Sequence, residues 1–152
     1  MHLKKIFISS DHAGFNLKKS IIQKFSKKQK IVDLGPSTDK SVDYPDYARK
    51  LSKKISSNNG SFGILICGSG TGMAIAANKI AGIRAGLCHD QLSARQAREH
   101  NDTNMLCLGG LIIGVNLAKE IVDTYLKARY QGAMPEGSRY LRRVTKIKGM
   151  DQ

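Results

Sequence analysis

Residues 62–67, FGILIC, are apolar from end to end and run straight into a glycine-rich turn, GSGTG. Six apolar residues without alternation suit a strand covered on both faces, as at the centre of a parallel sheet, and not a strand with one wet side. Residues 74–80 then read as a helix ended by Gly82. A buried strand, a tight turn and a helix constrain this chain more than any other stretch.

The rest of the sequence repeats that alternation. Ile6, Phe7 and Ile8 form a short apolar strand, and Leu17, Ile21, Ile22 and Phe25 follow at helical spacing. Residues 31–34 read as a second strand, closed by Gly35 and Pro36. A helix is expected over 44–57, with Pro45 tolerated in its first turn. Residues 83–88 form the fourth strand, Asp90 caps a helix over 91–99, and 104–108 form the fifth strand. Leu117, Ala118, Ile121, Val122, Tyr125 and Leu126 mark one face of a helix over 115–128. Strands alternating with helices imply a parallel sheet joined by right-handed crossovers. The reading is one doubly wound, Rossmann-like α/β domain over residues 1–152, with a five-stranded parallel sheet. From about residue 129 the chain becomes a basic arm carrying Gly132, Pro135 and Gly137. The arm is too short for a domain and is expected to contact a neighbouring subunit.

The 152 residues are 41% hydrophobic, enough for a sizeable core in one domain. The longest apolar runs are too short to span a bilayer, and the opening residues lack a secretory h-region. A soluble, cytoplasmic protein is expected. Cys67, Cys88 and Cys107 are odd in number and lack CxxC spacing, which argues against a disulfide framework and a structural zinc site. Cys88 and Cys107 sit in apolar runs and read as inert buried thiols. The net charge of +13 admits nucleic acid, an anionic membrane or a small anionic substrate as partner. Most of the lysine excess, including Lys18, Lys19, Lys24, Lys27, Lys28 and Lys30, reads as solvated helix face. An aromatic content of 6% and the lack of any RNA- or DNA-binding signature argue against a nucleic-acid module.

In open α/β sheets the ligand crevice lies beyond the carboxyl ends of the strands. Strand one leads to Asp11 and His12, strand two to Asp43 and Tyr44, and strand three to Cys67 and the turn Gly68, Ser69, Gly70, Thr71, Gly72. His100 and Asn101 precede strand five, and both histidines are expected at one edge of the sheet. The glycines at 68 and 70, with Asp90 downstream, fit part of a dinucleotide fingerprint. Met73 stands where its third glycine belongs, however, and the motif follows the third strand instead of the first. The other reading of the turn is an oxyanion loop. Glycines let successive amides converge on one point, and the next helix adds its positive end. A thiol at a helix N-terminus ionises more readily than a free one, so Cys67 here is either a working thiolate or a buried strand-end cysteine. His12 and His100, each beside a polar neighbour, favour acid–base work, and a Cys–His hydrolase also fits. His2 is set aside as terminal. His89 is set aside because its neighbour Asp90 is occupied as a helix cap.

The segments SSDHAGF, VDYPDYA, ILICGSGTGMAIAANKIAGIRA, REHNDTNMLCLGG and SRYLRRV, in that order, resemble the type B ribose-5-phosphate isomerase family, which also contains the galactose-6-phosphate isomerase subunits. The resemblance spans nearly the whole chain. It implies aldose–ketose isomerisation of a sugar phosphate in the pentose phosphate pathway, through an enediolate and without metal or organic cofactor. It makes Cys67 the base and the amides of loop 68–72 the shelter for the developing charge. Ser69 matches a hydroxyl at the reacting centre. His100, with Asp11 near the same hydroxyls, matches the ring-opening group. Asn101 and Tyr44 match substrate contacts, and His12, Arg139 and Arg143 match phosphate contacts. The two arginines lie one helical turn apart, so they face the same way. Leu111 stands where many of the family carry arginine. Homodimers or homotetramers with shared sites are implied. A six-carbon substrate such as galactose 6-phosphate or allose 6-phosphate is the alternative.

Overall fold

The computed structural model describes residues 5–151; His2 lies outside the described residues. The chain alternates strand and helix: β1 Lys5–Ser10, α1 Phe15–Phe25, β2 Lys30–Asp33, α2 Tyr44–Ser56, β3 Phe62–Cys67, α3 Thr71–Asn78, β4 Ala85–Leu87, α4 Gln91–Asn101, β5 Met105–Gly109 and α5 Val115–Lys127. Two short 3₁₀ turns, Gln131–Ala133 and Pro135–Gly137, lead into α6 Ser138–Lys148. All strand pairs are parallel, in the order β2-β1-β3-β5-β4. The chain leaves β1 toward β2 on one side and toward β3 on the other. The switch point therefore falls between β1 and β3, the crevice position of an open α/β sheet.

Every residue of β3 is buried, as its unbroken apolar run requires. Its alternate side chains feed two cores. Ile64 and Ile66 join Ile6, Ile8, Leu106 and Leu108 beneath α1, α4 and α5. Leu65 and Cys67 join Phe7, Met105 and Cys107 beneath α2 and α3. Helices thus cover both faces of the sheet, and the cysteine of β3 points into the α2–α3 layer.

Several boundaries differ from the sequence reading. β1 continues through Ser9 and Ser10, whose backbones pair with Leu65 and Ile66 of β3. β4 spans three residues instead of six, and β5 begins one residue later. α3 starts at Thr71, directly after Gly70 in the left-handed region at φ 78°. Thr71 and Gly72 therefore belong to the first helical turn and not to a free loop. α4 runs to Asn101, two residues beyond the expected end, because Asp102 caps it at φ 47°. That turn is pinned from outside the helix by Arg84 and from within it by Arg98, each reaching an Asp102 carboxylate oxygen at 3.0 Å.

Lys18, read as a solvated lysine, is fully buried. Its ammonium donates to Asp33 at 2.9 Å and to the Pro36 carbonyl at 2.6 Å, tying α1 to the end of β2. The basic arm is a helix docked on its own chain. Val144 is buried, and the Tyr140 ring lies on His100 of α4. Its end reaches the turn between α3 and β4, where the Gly82 N–H donates to Asp151 at 2.8 Å. No helix among the described residues is long and apolar enough to cross a membrane.

The turn after β1 depends on a close approach. A Cβ on Gly14 would sit 2.6 Å from the Ile66 carbonyl oxygen, a backbone atom that the sheet holds in place. Gly14→Ala is expected to cost about 1–3 kcal/mol through this overpacking. The check is a lower urea midpoint with an unchanged slope; an unaltered midpoint contradicts the packing argument.

Candidate active site

Cys67 ends β3 with only 5% of its surface exposed, and its sulfur is addressed by one main-chain donor. The Gly70 N–H donates to Cys67 Sγ at 3.1 Å. Gly70 itself is left-handed, which turns the chain from that amide into α3. A Cβ there would meet Leu87 Cδ1 at 2.6 Å and the Leu108 carbonyl carbon at 2.8 Å, so both backbone angle and space demand glycine. The α3 N-terminus begins one residue later and brings its positive end to the same point. Ser69 is exposed on the loop, and its Oγ accepts from the Thr71 N–H at 3.3 Å.

Three neighbouring segments close around this loop. From β1, the Asp11 N–H donates to the Ile66 carbonyl at 3.0 Å, and Asp11 Oδ1 accepts from the Gly14 N–H at 3.0 Å. His12 beside it is exposed, and its Nδ1 accepts from the Val42 N–H at 3.3 Å, which leaves Nε2 to serve a ligand. From α2, the Tyr44 ring approaches Gly72 so closely that a Cβ there would fall 2.5 Å from Tyr44 Cζ. From β5, Gly110 and Leu111 donate to the carbonyls of Cys67 and Gly68 at 2.8 and 3.0 Å. Leu111 extends over Gly68 and is 76% exposed. Cys67, the residues of loop 68–72, Asp11, His12 and Tyr44 therefore share one edge of the sheet.

His100, Asn101, Arg139 and Arg143 do not join them. The sequence reading put His100 at the same edge as Cys67; the structure puts it at the other. α4 leaves the carboxyl end of β4 and runs back to the start of β5, so its last turn lies at the amino edge. The length of a six-residue strand, on the order of 17–20 Å, separates the two edges. At the amino edge the His100 and Tyr140 rings stack at 4.4 Å with planes 5° apart. The Arg139 guanidinium lies over the other partner of that pair, 4.7 Å from the Tyr140 ring centre, and donates to its hydroxyl at 2.6 Å. Tyr140 went unnoticed in the sequence, although its place between two helical arginines was the available signal. His89, set aside there, meets the glycine loop: its Nε2 is 3.3 Å from the Ser69 carbonyl oxygen. Among the described residues, the hydrogen bond to Cys67 Sγ comes from the Gly70 amide and not from His12 or His100. Among the described residues, no three His, Cys, Asp or Glu side chains cluster as metal ligands.

A family model described as Ribose/Galactose Isomerase matches residues 6–147. The chain belongs to that family. It is 42% identical over 151 residues to Escherichia coli ribose-5-phosphate isomerase B, covering 99% of this chain and 98% of the relative. The structure of the Thermotoga maritima ribose 5-phosphate isomerase superposes with a TM-score of 0.91 at 47% identity, over 98% of this chain and all of that one. The Mycoplasma genitalium ribose-5-phosphate isomerase B, with ribulose 5-phosphate bound, gives a TM-score of 0.90 at 40% identity, over 97% of both chains. The isomerase fold thus holds throughout the chain, including α6.

The three thiols of this isomerase-family chain differ in surroundings. Burial pushes Cys88 up to about 11, against a weaker opposing hydrogen bond from Ser93. Burial raises Cys107 as well, with Cys67 and Cys88 adding to the effect. Only Cys67 has an amide aimed at its sulfur. A raised thiol binds its proton more tightly in the folded state. Its contribution is therefore complete below the unfolded value near 9 and is lost as pH climbs through about 11. The urea midpoint is expected to fall over that window, less steeply in Cys88→Ala; equal slopes in the two proteins rule out Cys88 as a source.

Proposed function

We propose that the protein interconverts ribose 5-phosphate and ribulose 5-phosphate, with Cys67 as the base. The observation that carries this reading is the Gly70 amide aimed at Cys67 Sγ from the N-cap of a helix. A donor in that position matches negative charge on sulfur, and the converging amides match negative charge on a nearby substrate oxygen. The relative with ribulose 5-phosphate bound, similar over almost the full chain, supports the choice of a five-carbon substrate.

In the aldose-to-ketose direction, Cys67 removes the proton on C2, and the C2–H electron pair forms the C1–C2 double bond. The carbonyl oxygen at C1 takes the charge and gives an enediolate, sheltered by the amides of loop 68–72 and by Ser69 Oγ. The hydroxyl proton on the C2 oxygen passes to the charged C1 oxygen, and the Cys67 thiol returns its proton to C1 as the C2 oxygen becomes the ketone. Asp11 and Tyr44 bound the sugar on either side of the loop, and His12 Nε2 offers a donor to phosphate.

His100 supplies acid–base help for ring opening, Asn101 a polar contact, and Arg139 and Arg143 a paired cationic grip on phosphate. These four stand at the edge of the sheet opposite Cys67. A second copy of the chain, related by a two-fold axis, delivers them, so the working unit is at least a homodimer.

Cys67→Ala is expected to lower kcat by about a hundredfold or more while the protein stays folded. Retained turnover removes Cys67 from the mechanism, and faster turnover of galactose 6-phosphate or allose 6-phosphate than of ribose 5-phosphate reverses the substrate assignment. The shared site has its own test. Cys67→Ala and His100→Ala, each nearly inactive alone, are expected to recover about a quarter of wild-type activity when subunits are randomly exchanged, because half the mixed dimers' sites are intact. No recovery in verified mixed dimers places both residues in one chain's site.

A further inference from the structure

The peptide unit between Ser69 and Gly70 has partners at both ends. Its N–H donates to Cys67 Sγ at 3.1 Å. Its carbonyl oxygen lies 3.3 Å from His89 Nε2, and a carbonyl can only accept, so that nitrogen carries the hydrogen. His89 and the sulfur therefore face each other through one planar, conjugated group. A hydrogen bond to the carbonyl draws electron density from the amide nitrogen and makes its N–H a stronger donor.

We infer that His89 is a positioning residue for Cys67, acting through the Ser69–Gly70 peptide. It holds the peptide plane so that the amide faces the sulfur, and it polarises that amide. The surrounding packing leaves this plane few other supports. Gly70 is held from behind by Leu87 and Leu108, and Gly109 approaches the Ser69 carbonyl so closely that a Cβ there would sit 2.8 Å from the oxygen. These contacts are steric and set where the loop lies; His89 is the hydrogen-bond donor that sets which way the peptide faces. His89 is itself carried by the segment between β4 and α4, next to Asp90, whose carboxylate caps α4 by accepting from the Ser93 N–H at 2.7 Å. Its backbone is thereby fixed at the mouth of the site.

The role in turnover rests on the isomerase reading, while the effect on the sulfur does not, and the experiment separates them. His89→Ala removes the donor. His89→Gln replaces it, since the glutamine Nε2 reaches about as far as the imidazole Nε2. Two readouts are taken: kcat and KM on ribose 5-phosphate, and the rate of iodoacetamide modification of Cys67, read on its own peptide by mass spectrometry. For the alanine variant, kcat is expected to fall about five- to tenfold, with KM within about twofold, in line with one lost hydrogen bond near charge. Cys67 modification is expected to slow by a similar factor, and glutamine to restore both. Unchanged modification in His89→Ala overturns the inference, as does a glutamine variant as slow as the alanine one. If the wild-type protein turns over no sugar phosphate, the isomerase reading falls, and the modification rates still decide the role of His89.

Discussion

An amide can face a sulfur three residues back only if the chain turns within that span, and Gly70 carries that turn on into α3. Its left-handed backbone and the absence of a side chain let the turn close against Leu87 and Leu108. Everything at this edge of the sheet follows from that closure. α3 can start at Thr71 because Gly70 has already turned the chain, and the amide of this N-cap residue faces the sulfur that ends β3. The flanking loops tie themselves to the same backbone, Asp11 to the Ile66 carbonyl and Gly110 to the Cys67 carbonyl. The end of β3 is thus tied by main-chain hydrogen bonds to the segments that follow β1 and β5. Preorganised donors of this kind need no rearrangement when charge develops, the condition under which they favour a reaction most.

The central strand was legible because full burial leaves a simple mark, six apolar residues and then glycine. The helix cap at Asp90 was legible for a similar reason, since the residue that caps α4 is adjacent to the helix it caps. Boundaries set by distant partners were not. α4 keeps His100 and Asn101 inside its last turn because Arg84, eighteen residues before Asp102, helps hold the turn that ends the helix. Lys18 carried the same difficulty. Nothing next to it in sequence distinguishes it from Lys19, yet it faces Asp33 and Pro36 across the sheet edge and is buried, whereas Lys19 is exposed.

The candidate site was legible as a set of residues and illegible as an arrangement. Cys67, Asp11, His12 and Tyr44 follow the strand ends, so a rule about sheet edges collects them. His100 follows a helix, and the same rule misplaces it, because a helix that returns antiparallel to its strand delivers its last turn to the opposite edge. His89 escaped for another reason. The residue type beside it explained Asp90 and left the imidazole without an evident use, and only the coordinates bring it to the Ser69 carbonyl.

The positive charge divides along the same lines. Lys18, Arg84 and Arg98 are held by Asp33, Asp102 and main-chain carbonyls, and Arg98 also lies over the Phe62 ring at 4.6 Å. These cations are consumed in shaping the fold. Arg139 and Arg143 are different: both are exposed on α6, and the partner of Arg139 is a neutral phenol, not a carboxylate. A guanidinium stacked on tyrosine is oriented without being neutralised, so its charge stays available to an anion. In one corner of the molecule, Arg84 and Arg98 therefore fix the turn that ends α4 just after His100, and Arg139, set on Tyr140, presents positive charge beside the same histidine. That corner has cations to offer and no thiol, while the glycine loop has a thiol and neutral amides. Each is incomplete for chemistry on a phosphorylated sugar, and the two-fold pairing proposed for the chain would supply to each what it lacks.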